Sequence, residues 1–161
     1  NTVGCMEFGG VFLNKYLNKG NKEGQERLTT DAFQLATGIL FQNPVQMFAL
    51  TPNNLNDAPT SAIDFMKKIP TTWDETVYID GYPGRYVVLA RRSGDRWYVA
   101  GVNAGGSPVN LNLNLPMLAG QSVSIYNDKK DKKLLLEINK IDKNGKISIS
   151  IQPNSGFVLT R

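Results

Sequence analysis

The side chains that could do chemistry in this sequence are mainly carboxylates, because its 161 residues include no histidine and only one cysteine. Without histidine there is no imidazole to activate a serine or cysteine nucleophile, and none to bind a metal ion. The single thiol, Cys5, can form neither an internal disulfide nor a structural zinc site. Phosphate-binding and dinucleotide-binding motifs are also missing, since Gly101–Gly106 lies between two predicted strands. We therefore predict no metal site in this chain.

Glu7 and Asn53 are the polar residues whose positions favour contact with a substrate. Glu7 lies near the end of a predicted strand, Thr2–Phe8, and Asn53 lies in the polar loop that follows a second predicted strand, Val45–Leu50. In an α/β barrel the active-site residues stand in the loops that follow the strands. Glu7 could therefore be a substrate contact, a catalytic carboxylate or a surface residue. Asn53 could be a substrate contact or a turn former, which is the commoner role of asparagine in loops.

Aromatic residues suggest two further roles. Trp73 precedes the carboxylates Asp74 and Glu75. Neighbouring residues on an extended segment point to opposite faces, so these two carboxylates are not expected to act as a pair on one bond. Trp73 is better explained as an anchor packed at a domain junction. Trp97 and Tyr82 could stack against a sugar ring, and cross-strand packing is the alternative for both.

The first part of the chain alternates helix and strand. Thr30 and Asp31 provide an N-cap for a helix with one broad apolar face. The apolar run Val45–Leu50 is too short for a core helix and predicts a strand buried on both faces of a parallel sheet. A second helix is predicted from near Pro59 to Pro70. This alternation is typical of an α/β fold and amounts to about a quarter of an eight-stranded α/β barrel.

The second part of the chain predicts an antiparallel sandwich. Short alternating strands follow one another from about residue 72, beginning with a hairpin that turns at Ser93–Asp95. Val109–Leu115 alternates leucine and valine with asparagine, which places one face in a core and the other in water. About seven or eight strands at this spacing are typical of a β-sandwich. We predict an α/β fragment, residues 1–71, followed by an all-β antiparallel sandwich, residues 72–161.

The formal charge of +4 does not indicate nucleic-acid binding. Seven lysines lie between Asp128 and Lys146, but they alternate with acidic residues and have no aromatic residue among them to stack on a base. No apolar run reaches the roughly 18 to 20 residues that a membrane span requires. We therefore expect neither nucleic acid nor membrane as a partner. Because the sequence starts at Asn1 rather than at methionine, we expect it to be part of a longer protein.

Three stretches resemble glycoside hydrolase family 97, whose members are α-glucosidases and α-galactosidases, mostly from Bacteroidetes. They are Ile69–Thr76 (IPTTWDET), Gly81–Arg92 (GYPGRYVVLARR) and Asp95–Gly101 (DRWYVAG), and Gly156–Leu159 (GFVL) is similar to the family's closing strand. The resemblance implies an N-terminal β-sandwich, a catalytic (β/α)8 barrel and a C-terminal β-sandwich. Residues 1–71 would then be the last strands and helices of the barrel. Where the family often shows Met-Asp-Tyr-Thr-Pro, this chain has Met6–Gly10 (MEFGG), which keeps only the acidic character, at Glu7.

The resemblance implies the C-terminal portion of an enzyme that cleaves α-glycosidic bonds in oligosaccharides with a pair of carboxylates. No catalytic residue is carried over to this chain, and it is expected to be inactive alone. A calcium ion is implied for the full-length enzyme, held by residues upstream of Asn1. Secretion or a periplasmic location is expected, and the rest of the parent chain or a second copy should cover residues 1–71. The alternative is a non-catalytic carbohydrate-binding sandwich that uses Trp97 or Tyr82.

Overall fold

The computed structural model describes residues 7–41 and 43–161, and most of these residues form a β-sandwich. Three helices come first: α1 (Asp31–Leu40), α2 (Asn54–Asp57) and α3 (Thr60–Met66). Eight strands follow: β1 (Glu75–Tyr82), β2 (Tyr86–Ser93), β3 (Arg96–Asn103), β4 (Val109–Asn114), β5 (Ser122–Asp128), β6 (Leu134–Lys140), β7 (Lys146–Ile151) and β8 (Ser155–Thr160). No helix in these ranges has the length and apolar character needed to cross a membrane.

The strands form two antiparallel sheets, as predicted for residues 72–161. One sheet has six strands in the order β1-β2-β3-β8-β5-β6, and the other is the pair β4-β7. Leu111 of β4 pairs with Ile149 of β7, and both side chains point into the core. Their neighbours Asn112 and Ser148 point to solvent, where the Ser148 hydroxyl donates a hydrogen bond of 2.7 Å to Asn112 Oδ1. The predicted alternation of apolar and polar residues therefore places the core between the two sheets.

The helical layer packs against the outer face of the six-stranded sheet. Leu35, Ala36 and Ile39 of α1 are fully buried, and they share a second core with Tyr98 of β3 and Val158 of β8. The predicted N-cap is confirmed, because the Thr30 side chain accepts a hydrogen bond from Phe33 N. The six-stranded sheet is thus buried on both faces over its central strands.

Two charged side chains of the sheet lie at the two ends of α1. Arg91 of β2 is 3% exposed and donates hydrogen bonds to the carbonyl oxygens of Leu40 and Phe41, at 3.1 and 3.3 Å. Asp128 of β5 is 6% exposed, and its carboxylate interacts with Thr30 and with the backbone of Ala32 at the helix N-terminus. A cation at the C-terminus and an anion at the N-terminus both complement the helix dipole. These contacts fix the direction of α1 on the sheet.

The predicted barrel strands are not borne out as regular strands. Val45–Leu50 was predicted to be buried on both faces, but Val45 is 54% and Met47 58% exposed. The segment runs parallel to Phe8–Gly10 and forms only an isolated bridge, between Phe8 and Gln46. Two extended segments without further strands beside them cannot bury both faces of a sheet, which explains the difference. The rest of the predicted strand Thr2–Phe8 lies outside the described residues.

Candidate functional site

Glu7, the first described residue, is fully on the surface. Its carboxylate has no hydrogen bond or ion pair with the described part of the chain. The next residue, Phe8, stacks on Phe41 with ring centroids 5.2 Å apart and holds the segment in place. Glu7 is therefore an exposed side chain, and its predicted substrate contact stays a prediction.

Asn53 belongs to a cluster of polar side chains that stabilises its own loop. Its amide nitrogen donates to Asn14 Oδ1 at 3.0 Å and to Asp57 Oδ2 at 2.8 Å. Asn54 donates to the same Asn14 oxygen at 2.6 Å, and Asn14 is completely buried. Hydrogen bonds from Asn21, and then from Asn53, lower the pKa of Asp57. The structure therefore gives Asn53 a role in loop formation, and a contact with substrate stays a prediction.

Trp73 lies at the junction between the helical layer and the sandwich. Its ring meets Tyr98 edge-on at 5.5 Å between centroids, and the Arg91 guanidinium lies 5.6 Å from its ring centre. Asp74 and Glu75 were expected to point to opposite faces, yet both reach Arg92, with N–O distances of 3.4 and 3.3 Å. The Arg92 guanidinium occupies the space between the two carboxylates. The structure therefore supports an anchoring role for this segment.

Trp97 and Tyr82, the two candidate stacking residues, have different surroundings. Trp97 is half-buried and packs against the core between the two sheets. Tyr82, at the end of β1, is 61% exposed. Its ring lies 5.7 Å from the guanidinium carbon of Arg85. Tyr82 is therefore available to a ligand, whereas Trp97 contributes to packing.

Tyr82 lines a pocket of about 310 Å³ on the outer face of the six-stranded sheet, which we call the tyrosine pocket. Its main lining residues are Tyr78, Gly81, Tyr82, Arg85, Val87 and Val102. A β-bulge in β1 between Tyr78 and Asp80 shifts the strand register. Because of this extra residue, Tyr78 and Gly81 lie on one face, although strict alternation would separate them. The bulge therefore assembles the pocket.

A tight turn holds Arg85 beside Tyr82. Arg85 N donates to the Tyr82 carbonyl at 3.0 Å, and Gly84 between them has a φ of +75°. Pro83 followed by a glycine with positive φ is the preferred sequence of a type II turn. A Cβ at Gly81 would lie only 3.1 Å from the Tyr78 hydroxyl, so glycine keeps the pocket open. The turn and Gly81 together define the shape of the pocket.

The hairpin of β1 and β2, which contains this turn, also holds a tyrosine–carboxylate pair, Tyr86 and Asp80. The Tyr86 hydroxyl donates to Asp80 Oδ1 at 3.2 Å, and Gly81 N donates to the same oxygen at 2.7 Å. Partial burial, and then the negative charge of Asp80, raise the pKa of Tyr86. Tyr86 therefore remains protonated at neutral pH and acts as a hydrogen-bond donor that fixes the hairpin.

Sequence reasoning missed Tyr78, Arg85 and Gly81, because the bulge that brings them together leaves no local pattern. The Pro83-Gly84 turn was the one available signal that residues 82 and 85 would be neighbours. Among residues 7–41 and 43–161, no three acidic or cysteine side chains gather closely enough to hold a metal ion. The tyrosine pocket contains Tyr82, one of the two residues predicted to stack on a sugar, and is therefore the candidate binding site.

Comparisons with known proteins place this architecture in a family. A family model described as glycosyl-hydrolase 97 C-terminal, oligomerisation, matches residues 72–160. A retaining alpha-galactosidase from Bacteroides thetaiotaomicron is 34% identical over 133 residues, which are 78% of this chain and 20% of that protein. A probable retaining alpha-galactosidase from Streptomyces bingchenggensis is 33% identical over 66% of this chain and 16% of its own length. The chain therefore spans about a fifth or less of these relatives.

Solved structures agree with this placement. The crystal structure of a beta-arabinopyranosidase is 56% identical, with a TM-score of 0.96, and the match covers all of this chain and 26% of that one. A family 97 enzyme from Pseudoalteromonas sp. strain K8, in complex with acarbose, is 25% identical with a TM-score of 0.72 over 84% of this chain and 23% of its own. Sequence and fold lead to one conclusion: this chain belongs to glycoside hydrolase family 97 and carries its C-terminal β-sandwich domain.

Proposed function

We propose that this chain is the C-terminal part of a glycoside hydrolase that cleaves α-galactosidic bonds or the stereochemically related β-L-arabinopyranosidic bonds. The structure of a beta-arabinopyranosidase that matches the whole chain at 56% identity carries this proposal, and the curated alpha-galactosidases support it. A β-L-arabinopyranoside has the ring configuration of an α-D-galactopyranoside and lacks only its hydroxymethyl group. One active site could therefore accept both sugars. An α-glucosidase is the remaining alternative within the family.

The sandwich is proposed to brace the end of the catalytic barrel. Arg91 and Asp128 hold the two ends of α1, so the helical layer and the six-stranded sheet share one core. Several large apolar side chains are exposed in the described residues that precede β1. They are Leu17, Leu28, Phe41, Val45, Met47, Leu50 and Leu55. Their exposure is explained if upstream residues of the parent chain pack there.

The extended segments before α1 and α2 support a position at the edge of a barrel. Phe8 N donates to Val45 O at 3.1 Å, Met47 N to Phe8 O at 2.8 Å and Ala49 N to Gly10 O at 2.8 Å. Hydrogen bonds that step along both segments in this way are those of a parallel pair. We propose that these segments continue the parallel sheet of the parent barrel, where further strands would flank them.

The catalytic carboxylates are proposed to lie upstream of Asn1, together with any calcium ion that the parent enzyme binds. Calcium prefers several oxygen ligands, including carboxylates. The described residues offer no cluster of three carboxylates, and we propose that the calcium ligands lie in the rest of the parent enzyme. Because the family assignment also implies export, we propose that the parent enzyme is secreted or periplasmic. Cell fractionation of the native organism would test this location.

Activity assays on two proteins test the proposal. The full-length parent enzyme should hydrolyse nitrophenyl α-galactoside, nitrophenyl β-L-arabinopyranoside or both, and it should hydrolyse nitrophenyl α-glucoside much more slowly. The 161-residue chain alone should release no nitrophenol above the blank. Turnover by the isolated chain would contradict an upstream catalytic centre. Preference of the parent enzyme for the α-glucoside would contradict the proposed substrate class.

A further inference from the structure

The tyrosine pocket combines an apolar floor with a polar rim. Val87 and Val102 form the floor, and they are paired directly across β2 and β3. Tyr78 and Tyr82, which are 63% and 61% exposed, form the walls. Small-molecule sites are typically concave and mostly apolar, with a few polar groups that fix orientation, and volumes from about 300 Å³ upwards. At about 310 Å³, the pocket suits one small ring rather than an extended chain.

The polar groups at the rim have free hydrogen-bonding capacity. The Tyr78 hydroxyl donates to the Gly81 carbonyl at 2.9 Å, which leaves its oxygen able to accept. Arg85 takes part in none of the ion pairs within the described residues, and its neighbour is the Tyr82 ring. A guanidinium carries five N–H donors in a fixed plane. The rim therefore offers donors and an acceptor above an apolar surface.

We infer that the tyrosine pocket binds a neutral pyranose unit of a glycan, with its C–H face against Tyr82 and its hydroxyl groups toward Arg85 and Tyr78. A pyranose has this same division between an apolar face and a polar edge. Tyrosine presents a large, rigid surface with few rotatable bonds, so little entropy is lost when a ring stacks on it. The contact between Arg85 and Tyr82 holds both side chains in place before binding.

This inference adds a non-catalytic glycan site to the proposed function and does not depend on it. Large exposed apolar side chains in the described part of the sandwich occur at two places, the tyrosine pocket and the β6 edge. The β6 edge carries the aliphatic residues Leu136 and Ile138 and no aromatic ring. Within the described part of the sandwich, the exposed aromatic surface that sugar stacking uses therefore lies at the pocket. Ile138, 78% exposed on the same sheet, gives a matched control position.

Affinity electrophoresis of the full-length parent enzyme in gels that contain galactomannan tests the inference. Increasing polysaccharide should retard the wild-type enzyme, and Tyr82→Ala should raise the apparent dissociation constant roughly five- to tenfold, as expected for the loss of one aromatic contact. Tyr82→Phe should retain most of the binding because it keeps the ring. Ile138→Ala should behave like the wild type.

A second readout separates this inference from the catalytic proposal. The value of kcat/KM on nitrophenyl α-galactoside should be the same for wild type and Tyr82→Ala, because the small substrate occupies only the active site. Tyrosine-dependent retardation without hydrolysis would contradict the proposed function and leave the glycan site standing.

Three results would overturn the glycan site. The first is equal retardation of the wild type and Tyr82→Ala. The second is a wild type that galactomannan does not retard. The third is a change in sedimentation on Tyr82→Ala with unchanged retardation, because the pocket would then be a protein–protein contact. Thermal melting of each variant checks that folding is intact.

Discussion

Arg91 is a buried cation whose hydrogen-bond partners are backbone carbonyl oxygens at the end of a helix. Burial lowers its pKa, but arginine stays charged at any physiological pH. The helix dipole and the face of Trp73 therefore take the place of a carboxylate in compensating the charge. Arg91, a residue of the sheet, therefore contacts both the end of α1 and the junction residue Trp73.

Arg91→Ala should destabilise the chain by about 3 kcal/mol, because the last carbonyl groups of α1 and the Trp73 ring would lose their partner in a buried place. The neighbouring substitution Arg92→Ala removes two partly exposed ion pairs, with Asp74 and Glu75, and should cost less than about 1 kcal/mol. Urea unfolding followed by tryptophan fluorescence measures both free energies. Equal effects of the two substitutions would show that Arg91 does not anchor the helix.

Asp128 gives the chain a characteristic dependence on pH. Burial raises the pKa of its carboxyl group above 3.8, and hydrogen bonds from Thr30 and Ser155 oppose that rise. A raised pKa means that the folded state binds this proton more tightly than the unfolded state. The contribution of Asp128 to stability is therefore fully present below its unfolded pKa, and it is lost as the pH rises through the folded pKa.

Asp128→Asn removes this titration and isolates its effect. The unfolding free energy of the wild type, relative to that of Asp128→Asn, should fall as the pH rises from about 4 to about 7. Urea unfolding at a series of pH values measures this difference. A difference that stays constant, or changes in the opposite direction, would contradict the raised pKa.

At the scale of elements, α1 lies unusually close to β8 at Gly156. A Cβ at this position would lie 2.8 Å from Gly101 O and 2.9 Å from Phe33 Cα. Gly101 belongs to β3 and Phe33 to α1, and both neighbours are backbone atoms, so the contacts could be relieved only if the strand and the helix both shifted.

Gly156→Ala should therefore destabilise the chain by about 1–3 kcal/mol, as overpacking in a tight core does. Gly106→Ala is the matched control, because nothing lies within 4 Å of its Cβ position and it should be nearly neutral. Thermal unfolding compares the two variants. A neutral Gly156→Ala would mean that β3 and α1 can both shift around this position without cost.

Local signals explain which elements could be predicted from sequence. The N-cap of α1 and the turn at Gly94, which has a φ of +58°, depend on neighbouring residues, and both predictions are confirmed. The strand predicted at Val45–Leu50 is not borne out as a regular strand within these residues, because an apolar run does not reveal how many strands lie beside it. The tyrosine pocket was missed because it depends on the bulge before Asp80. A shift in strand register and the number of strands that lie beside a segment are therefore the two features that this sequence does not reveal.

The described residues expose large apolar side chains in the segment before β1, at the tyrosine pocket and at the β6 edge. The description of the family model that matches residues 72–160 includes the word oligomerisation. The expectation that a second copy or the rest of the parent chain covers residues 1–71 concerns the apolar side chains before β1. The most exposed residues there are Leu28 and Leu55, each 75% exposed.

The isolated 161-residue chain should therefore self-associate, with an apparent mass at least roughly twice that of the monomer in light scattering. Replacing both Leu28 and Leu55 with glutamine should restore the monomer, while Ile138→Gln should not. If Ile138→Gln alone restores the mass of the monomer, the contact between copies lies at the β6 edge. A wild-type chain that is monomeric at high concentration would contradict the prediction altogether.

The position of β8 has a consequence for how the protein is made. It is the last of the eight strands along the sequence, yet it lies between β3 and β5 in the middle of the sheet. During synthesis on the ribosome, β1–β3 and β5–β6 emerge as two separate hairpin assemblies that have no strand to join them. A nascent chain that stalls before Ser155 would lack β8, so β3 and β5 would each present an unpaired strand edge. Such a chain would be exposed to proteases and to chaperone binding.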